Sequence, residues 1–214
     1  MSAVLLSLAL VLAASACGSA KKKAATIDAH GCVVTSAPSP GSRSEKKPST
    51  KLDPTKTYDV VFQTNCGSFT VQLNVRDSPN TTASFANLVK KHFFDRTVFH
   101  RIVPGFVIQG GDPTQRGDGG PGYTTVDTPP AGTKYTHGVV AMAKTQTQAP
   151  GTSGSQFFVV TAPNAGLPAD YAVLGRVVKG LGVVDRIGKL GDPNDPSGTP
   201  TEVVEIEKAT LEVS

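Results

Sequence analysis

The run Phe99-His100-Arg101-Ile102-Val103-Pro104-Gly105-Phe106-Val107-Ile108-Gln109-Gly110-Gly111-Asp112-Pro113 constrains this chain more than any other stretch. It reads as a strand, a turn at Pro104-Gly105, a second strand and a Gly-Gly exit. Along the second strand Phe106, Ile108 and Gly110 point one way, and Val107, Gln109 and Gly111 the other. Arg101 and Gln109 interrupt an otherwise apolar run. Burying such groups is costly unless each has a partner or serves a cavity. The plain alternative is a strand edge whose Arg101 stem lies along apolar surface while its head reaches water. Phe106 and Gln109 fall on opposite faces of an ideal strand, so a bulge or bend is required if both reach one site.

The surrounding pattern is that of a β-rich domain beginning near Tyr58. Tyr58 to Thr64 and Ser68 to Leu73 are β-rich runs around a short Asn65-Cys66-Gly67 turn, which predicts a hairpin. Ser78 as N-cap and Pro79 at the first helical position predict a helix start. Ala83, Phe85, Ala86, Leu88 and Val89 form its buried stripe. Gly110 to Gly122 is a long Gly/Asp-rich loop, and loops of that length in compact domains are usually functional. Strands are expected at Val139–Met142, Phe157–Val160 and Tyr171–Val178, a second helix at Leu181–Ile187, and a final strand or strand pair within Glu202–Val213. Many short strands with two helices predict a mainly β fold, an antiparallel barrel plugged at its ends.

Taken together, FHRIVPGFVIQGGDP, GVVAMA and GSQFFVV, in that order, resemble the cyclophilins, a family of peptidyl-prolyl isomerases. The likeness covers about Tyr58 to the C-terminus. It implies a closed eight-stranded antiparallel barrel capped by two α-helices, and acceleration of X–Pro isomerisation without cofactor or metal. It also implies Arg101 as the catalytic guanidinium and Gln109 beside it as an orienting group. The proline pocket falls on Phe106, Val107, Phe158 and Leu167. Ala143, Lys144 (through its backbone), Gln156 and Tyr171 line the substrate groove. Three positions depart from the family: Gly166 stands where tryptophan is usual, Tyr171 where histidine is, and Leu174 where phenylalanine is. A proline-peptide-binding or chaperone module with incidental turnover is the alternative, and retention of Arg101 argues for the enzyme.

The first fifty or so residues lie outside that resemblance. Val4 to Ala14 is apolar and too short to span a bilayer, but it has the length of a secretory core and precedes Ala14-Ser15-Ala16-Cys17-Gly18. Small residues before a cysteine resemble the lipobox of bacterial lipoproteins. The expected division is a signal peptide over 1–16, a flexible tether over 17–57 lipidated at Cys17, and an isomerase domain over 58–214. The tether is rich in Lys, Ser, Pro, Ala and Thr and lacks any sustained period. The expected protein is a bacterial, extracytoplasmic, membrane-anchored lipoprotein; plain secretion and an unprocessed apolar tail are the alternatives. Its partners would be proline-containing segments of unfolded or exported proteins, met by a monomer. With Cys17 lipidated, Cys32 and Cys66 remain as an even pair in an oxidising compartment, either bridged or as two free thiols.

Other chemistry is argued against. The net charge of +4 owes much to basic residues in the first fifty, which are not interleaved with aromatics, so no nucleic-acid role is expected. His30, His92 and His137 lack metal-ligand spacing. His100 is read as a satisfied structural histidine on the face opposite Arg101. Asp112, Asp118 and Asp127 are read as solvated turn residues rather than calcium ligands. Ser153 and Ser155 have no His/Asp frame.

Overall fold

The computed structural model describes residues 25–214; the expected signal peptide and Cys17 lie outside the described residues. A hairpin starts the domain. β1 (Tyr58–Thr64) and β2 (Gly67–Leu73) pair antiparallel, with Val60, Phe62, Phe69 and Val71 turned inward and buried. α1 (Pro79–Lys90) follows. Pro79 opens it as expected, but the Ser78 side chain makes no capping bond. Asp127, from a distant loop, caps it instead: its carboxylate accepts from the Thr81 amide at 2.6 Å and the Asn80 side chain at 2.8 Å. A carboxylate there faces the positive end of the helix. Asp127 is therefore a structural cap rather than a solvated turn residue.

The remaining elements are β3 (Thr97–Val98), β4 (Arg101–Val103), β5 (Val107–Gly110), β6 (Thr125–Val126), β7 (Val139–Met142), β8 (Thr152–Ser153), β9 (Phe157–Val160), β10 (Val173–Lys179), α2 (Leu181–Ile187) and β11 (Glu205–Val213). Nine strands form one curled antiparallel sheet in the order β3-β11-β1-β2-β10-β7-β9-β5-β4, and β6 pairs with β8 separately. The barrel is thus an open half-barrel, not the closed eight-stranded one expected. Its two edges, β3 and β4, are consecutive in the chain. The Phe99 amide still bonds to the Val204 carbonyl beside β11, and from Arg101 the chain pairs with β5 instead, so the sheet curls round without a ladder across that seam.

Two apolar clusters occupy opposite faces of the sheet. Inside lie Phe62, Phe69, Phe85, Phe94, Phe99 and Phe157, with Ile108, Val140 and Val159. Phe85 and Phe94 stack at 4.6 Å, and Phe157 meets Phe62 at 5.2 Å. Each such side chain contributes about 1.5–3 kcal/mol relative to exposure. Outside lie Val107, Tyr135, Val139, Ala141, Phe158 and Val160. Burial on both faces explains why β7 and β9 read as continuous apolar runs rather than alternating ones.

The stretch expected to be a flexible tether is strapped to the domain from Cys32 to Lys47. Cys32 is disulfide-bonded to Cys66, in the β1–β2 turn. The amide of Val33 donates to the Asn65 carbonyl at 2.7 Å. The Asn65 side chain donates to the carbonyls of Val33 and Val203 and accepts from the Glu205 amide, stitching strap, turn and β11 together. Arg43 donates to the carbonyls of His92, Phe93 and Asp95 just past α1. Gly41 and Glu45 donate to Pro113 and Pro121. These are isolated anchors with no repeating apolar face, which is why no periodicity marks them.

The disulfide spans a sequence separation of 34. On the chain-entropy model a loop of that size stabilises by about 3–4 kcal/mol. The double variant Cys32→Ser/Cys66→Ser is therefore expected to unfold at clearly lower urea concentration. An unchanged midpoint in denaturant titration would contradict the strap's contribution.

Candidate functional site

The site is built on the outer face of the sheet. Residues directly opposite each other in an antiparallel pair share a face. Arg101 on β4 faces Gln109 on β5, Gln109 faces Phe158 on β9, Phe158 faces Ala141 on β7, and Ala141 faces Val173 on β10. The register alone thus places Arg101, Gln109 and Phe158 in one row across three strands. A neighbouring row carries Val103, Val107 and Val160. Phe106 is not in the strand. β5 begins at Val107, and Phe106 sits in the preceding turn, its amide bonded to the Val103 carbonyl at 3.0 Å. The expected conflict between Phe106 and Gln109 therefore disappears without a bulge.

Above this row is a pocket of about 200 Å³ lined by Arg101, Phe106, Val107, Gln109, Ala143, Lys144, Phe158, Leu167 and Tyr171. Nine of the ten residues expected at the site thus line one cavity. Its floor is apolar and well packed: Phe158 meets Tyr171 edge-on at 5.5 Å, and Tyr135 meets Tyr171 edge-on at 5.9 Å. Tyr135, which sequence reasoning missed, fixes the Tyr171 backbone. Its hydroxyl donates to the Tyr171 carbonyl at 2.7 Å and accepts from the Tyr171 amide at 2.9 Å. Burial pushes the Tyr135 phenol above its usual value, so it stays protonated and able to donate.

The tenth residue, Gln156, lies on a larger adjoining groove of about 650 Å³, whose walls are Gly117 to Thr124 on one side and Ala143 to Thr145 on the other. Gln109, Ala143 and Lys144 belong to both. The Gln109 amide donates to the Gln156 side-chain carbonyl at 3.1 Å, and Gln156 in turn donates to the Gly119 carbonyl at 3.0 Å. A polar chain therefore runs from the strand beside Arg101 to the long glycine loop.

Arg101 is half-buried. Its Nε donates to the Ser197 carbonyl at 3.1 Å, and among the described residues its terminal nitrogens carry no hydrogen bond and no ion pair. The Ser197 carbonyl is supplied by a loop that Asp195 ties together. That carboxylate accepts from the Ser197 hydroxyl and from the Ser197 and Thr199 amides, and donation from these two residues holds its pKa well below the ordinary range. Sequence reasoning saw only a turn-rich segment here.

Other candidates fall elsewhere. His100 lines a separate cleft with Phe99, Gln115 and Val204, and neither ring nitrogen has a partner among the described residues. It is not the satisfied histidine expected; burial holds its pKa below the usual value, so the ring is neutral. Asp112 is fully buried rather than solvated. Gly166 has φ +65°, a left-handed conformation that favours glycine, and its amide donates to the Asn164 side chain. The usual tryptophan is thus absent together with a backbone shape that any side chain would strain. Among the described residues no group of His, Cys, Asp or Glu is arranged to hold a metal.

A family model described as "Cyclophilin type peptidyl-prolyl cis-trans isomerase/CLD" matches residues 59–211. The chain is 42% identical over 157 residues to "Peptidyl-prolyl cis-trans isomerase-like 1" of Neurospora crassa, covering 72% of this chain and 93% of that one. The protein of the same description from Gibberella zeae is 38% identical over 159 residues, covering 72% and 95%. Among solved structures, a cyclophilin type peptidyl-prolyl cis-trans isomerase of Cryptosporidium parvum superposes with a TM-score of 0.65 at 28% identity, covering 73% of this chain and 98% of that one. The same protein in the presence of the dipeptide Ala-Pro gives a TM-score of 0.65 at 29% identity, covering 72% and 98%.

Proposed function

The chain belongs to the cyclophilin-type peptidyl-prolyl cis-trans isomerases, and from that premise we propose that X–Pro bonds are turned over in the Arg101 pocket, chiefly in exported proteins. The rotation barrier of the amide is about 18–20 kcal/mol, and spontaneous exchange takes tens to hundreds of seconds. At the top of the barrier amide resonance is lost and the prolyl nitrogen becomes pyramidal and basic. Three things lower that barrier: a grip on the ring, a hold on the neighbouring backbone, and a fixed donor where the lone pair develops. Phe106, Val107, Phe158 and Leu167 form the ring pocket, and the Ala143–Lys144 edge with Gln156 offers the backbone groups. Arg101 supplies the donor, since guanidinium stays charged and its fork is rigid.

The observation that carries this reading is the placement of the terminal guanidinium donors of Arg101 on the wall of an apolar-floored cavity of about 200 Å³. The relative seen with Ala-Pro supports a proline ligand of that kind here. The test is exchange NMR on an Ala-Pro peptide with the whole chain added in catalytic amount. Accelerated cis–trans exchange is expected. Saturable binding without acceleration would favour the peptide-binding or chaperone alternative.

The proposed destination of the protein follows from residues 1–18 and from the disulfide of the strap. Signal-like residues 1–16 and the Ala-Ser-Ala-Cys run support a bacterial lipoprotein anchored at Cys17, extracytoplasmic, with secretion as the alternative. The Cys32–Cys66 disulfide favours an oxidising compartment in either case. Cys17→Ser is expected to move the protein from the membrane pellet to the soluble extracytoplasmic fraction. Wild-type protein already soluble, or retained in the cytoplasm, would contradict the anchor.

A further inference from the structure

We infer that the preferred substrates are acidic proline segments, carrying a carboxylate one or two residues from the proline. The inference rests on the reading of the Arg101 pocket as the X–Pro site and adds a substrate class to it. Two cationic side chains, Arg101 and Lys144, stand on the wall of one small cavity whose floor is apolar. Four ion pairs occur among the described residues: His92–Asp95, Arg96–Glu205, Arg116–Asp118 and His137–Asp185. Neither pocket cation belongs to one.

Lys144 is also held in place. Its ammonium donates to the carbonyls of Thr145 at 3.3 Å and Gln148 at 3.2 Å, and lies 5.5 Å from the centre of the Tyr171 ring. Neutral carbonyls and an aromatic face orient the charge without cancelling it. An ammonium has three donors, so one is left for a ligand. The carboxylates nearby are spoken for or unpaired with it. Asp118, on the larger groove, is taken by Arg116 at 3.3 Å, and Asp170, one residue before Tyr171, makes no ion pair with either cation.

Position decides where the matching charge must lie. Lys144 is shared by the small pocket and the larger groove. A peptide with its ring in the pocket and its chain leaving through the groove passes this ammonium within a residue or two, since extended chain advances about 3.3 Å per residue. Half-buried charges with few counter-charges select opposite sign and reject like sign, and salt weakens both effects.

The test uses the full chain and two tetrapeptide series. In one the residue immediately before proline is Glu, Gln or Lys; in the other the residue before that is varied. In one of the two series, Glu is expected to exceed Lys in kcat/KM by about 5- to 20-fold, with Gln between. High ionic strength should compress the ratio. Lys144→Gln should reduce it, and Lys144→Glu should invert it. Equal turnover of Glu and Lys peptides in both series would overturn the inference, as would a preference unchanged in Lys144→Glu. If the Gln peptides themselves are not turned over, the isomerase reading fails instead.

Discussion

Asp112→Ala is expected to lower the unfolding free energy by about 3–5 kcal/mol and to loosen the wall of the larger groove. Asp112 is a fully buried carboxylate. It accepts from the Thr114 amide at 2.7 Å, the Thr114 hydroxyl at 2.8 Å, the Gly117 amide at 2.6 Å and the Gly119 amide at 3.1 Å. Alanine would strip all of them and leave donors without acceptors, each costing about 1–3 kcal/mol. Gly119 approaches so closely that a Cβ there would collide with the Asp112 carboxylate. The loop is therefore wound on this one group. Its effect reaches the site, because the Gly119 carbonyl holds Gln156, and Gln156 holds Gln109.

The same group sets an acid limit. Burial alone would raise the Asp112 pKa, but donation from the Thr114 hydroxyl and the Gly119, Thr114 and Gly117 amides outweighs it, leaving the pKa below its usual value. A depressed carboxylate pKa contributes its full stabilisation above the unfolded value of about 3.9 and loses it as pH falls toward the folded value. Asp112→Asn does not titrate. Urea midpoints of wild type and Asp112→Asn should therefore differ by a constant amount above about pH 5 and converge below about pH 4. A gap that stays constant into acid would show that the carboxylate's charge contributes nothing.

The grouping of Arg101, Gln109 and Phe158 was legible through the resemblance that the long ordered motifs carry; strand alternation alone did not reach it. The conflict between Phe106 and Gln109 arose from starting the strand one residue early. Once β5 begins at Val107, alternation puts Val107 and Gln109 together and leaves Phe106 to the turn. What was illegible depends on convergence of distant groups. Asp112 and Asp127 look like turn residues until the loops carrying them close on their donors. Arg43, Cys32 and Asn65 give no periodic signal, yet each fastens the strap through contacts far away in sequence. The open barrel follows from a change of partner inside a run that reads as plain strand: Thr97 and Val98 pair with β11, and from Arg101 the chain pairs with β5. Ser197 reaches Arg101 across 96 residues, a distance that no local pattern encodes.

Arg101→Ala is expected to lower turnover by about 10²–10³-fold, as loss of one preorganised transition-state donor commonly does. Affinity for the ground-state peptide should change far less. On the proposed reading the ring is gripped by Phe106, Val107, Phe158 and Leu167, which line the pocket and all remain, and the planar amide offers the guanidinium no basic nitrogen. Stability should be nearly unaffected, since Arg101 forms no ion pair among the described residues and gives up one bond to a loop carbonyl. The decisive measurement is therefore made on one Ala-Pro peptide with the whole chain, reading cis–trans exchange and binding from the same samples of wild type and Arg101→Ala. The account predicts exchange slower by about 10²–10³-fold with the dissociation constant changed by less than about threefold. Exchange in Arg101→Ala close to that of wild type would contradict it.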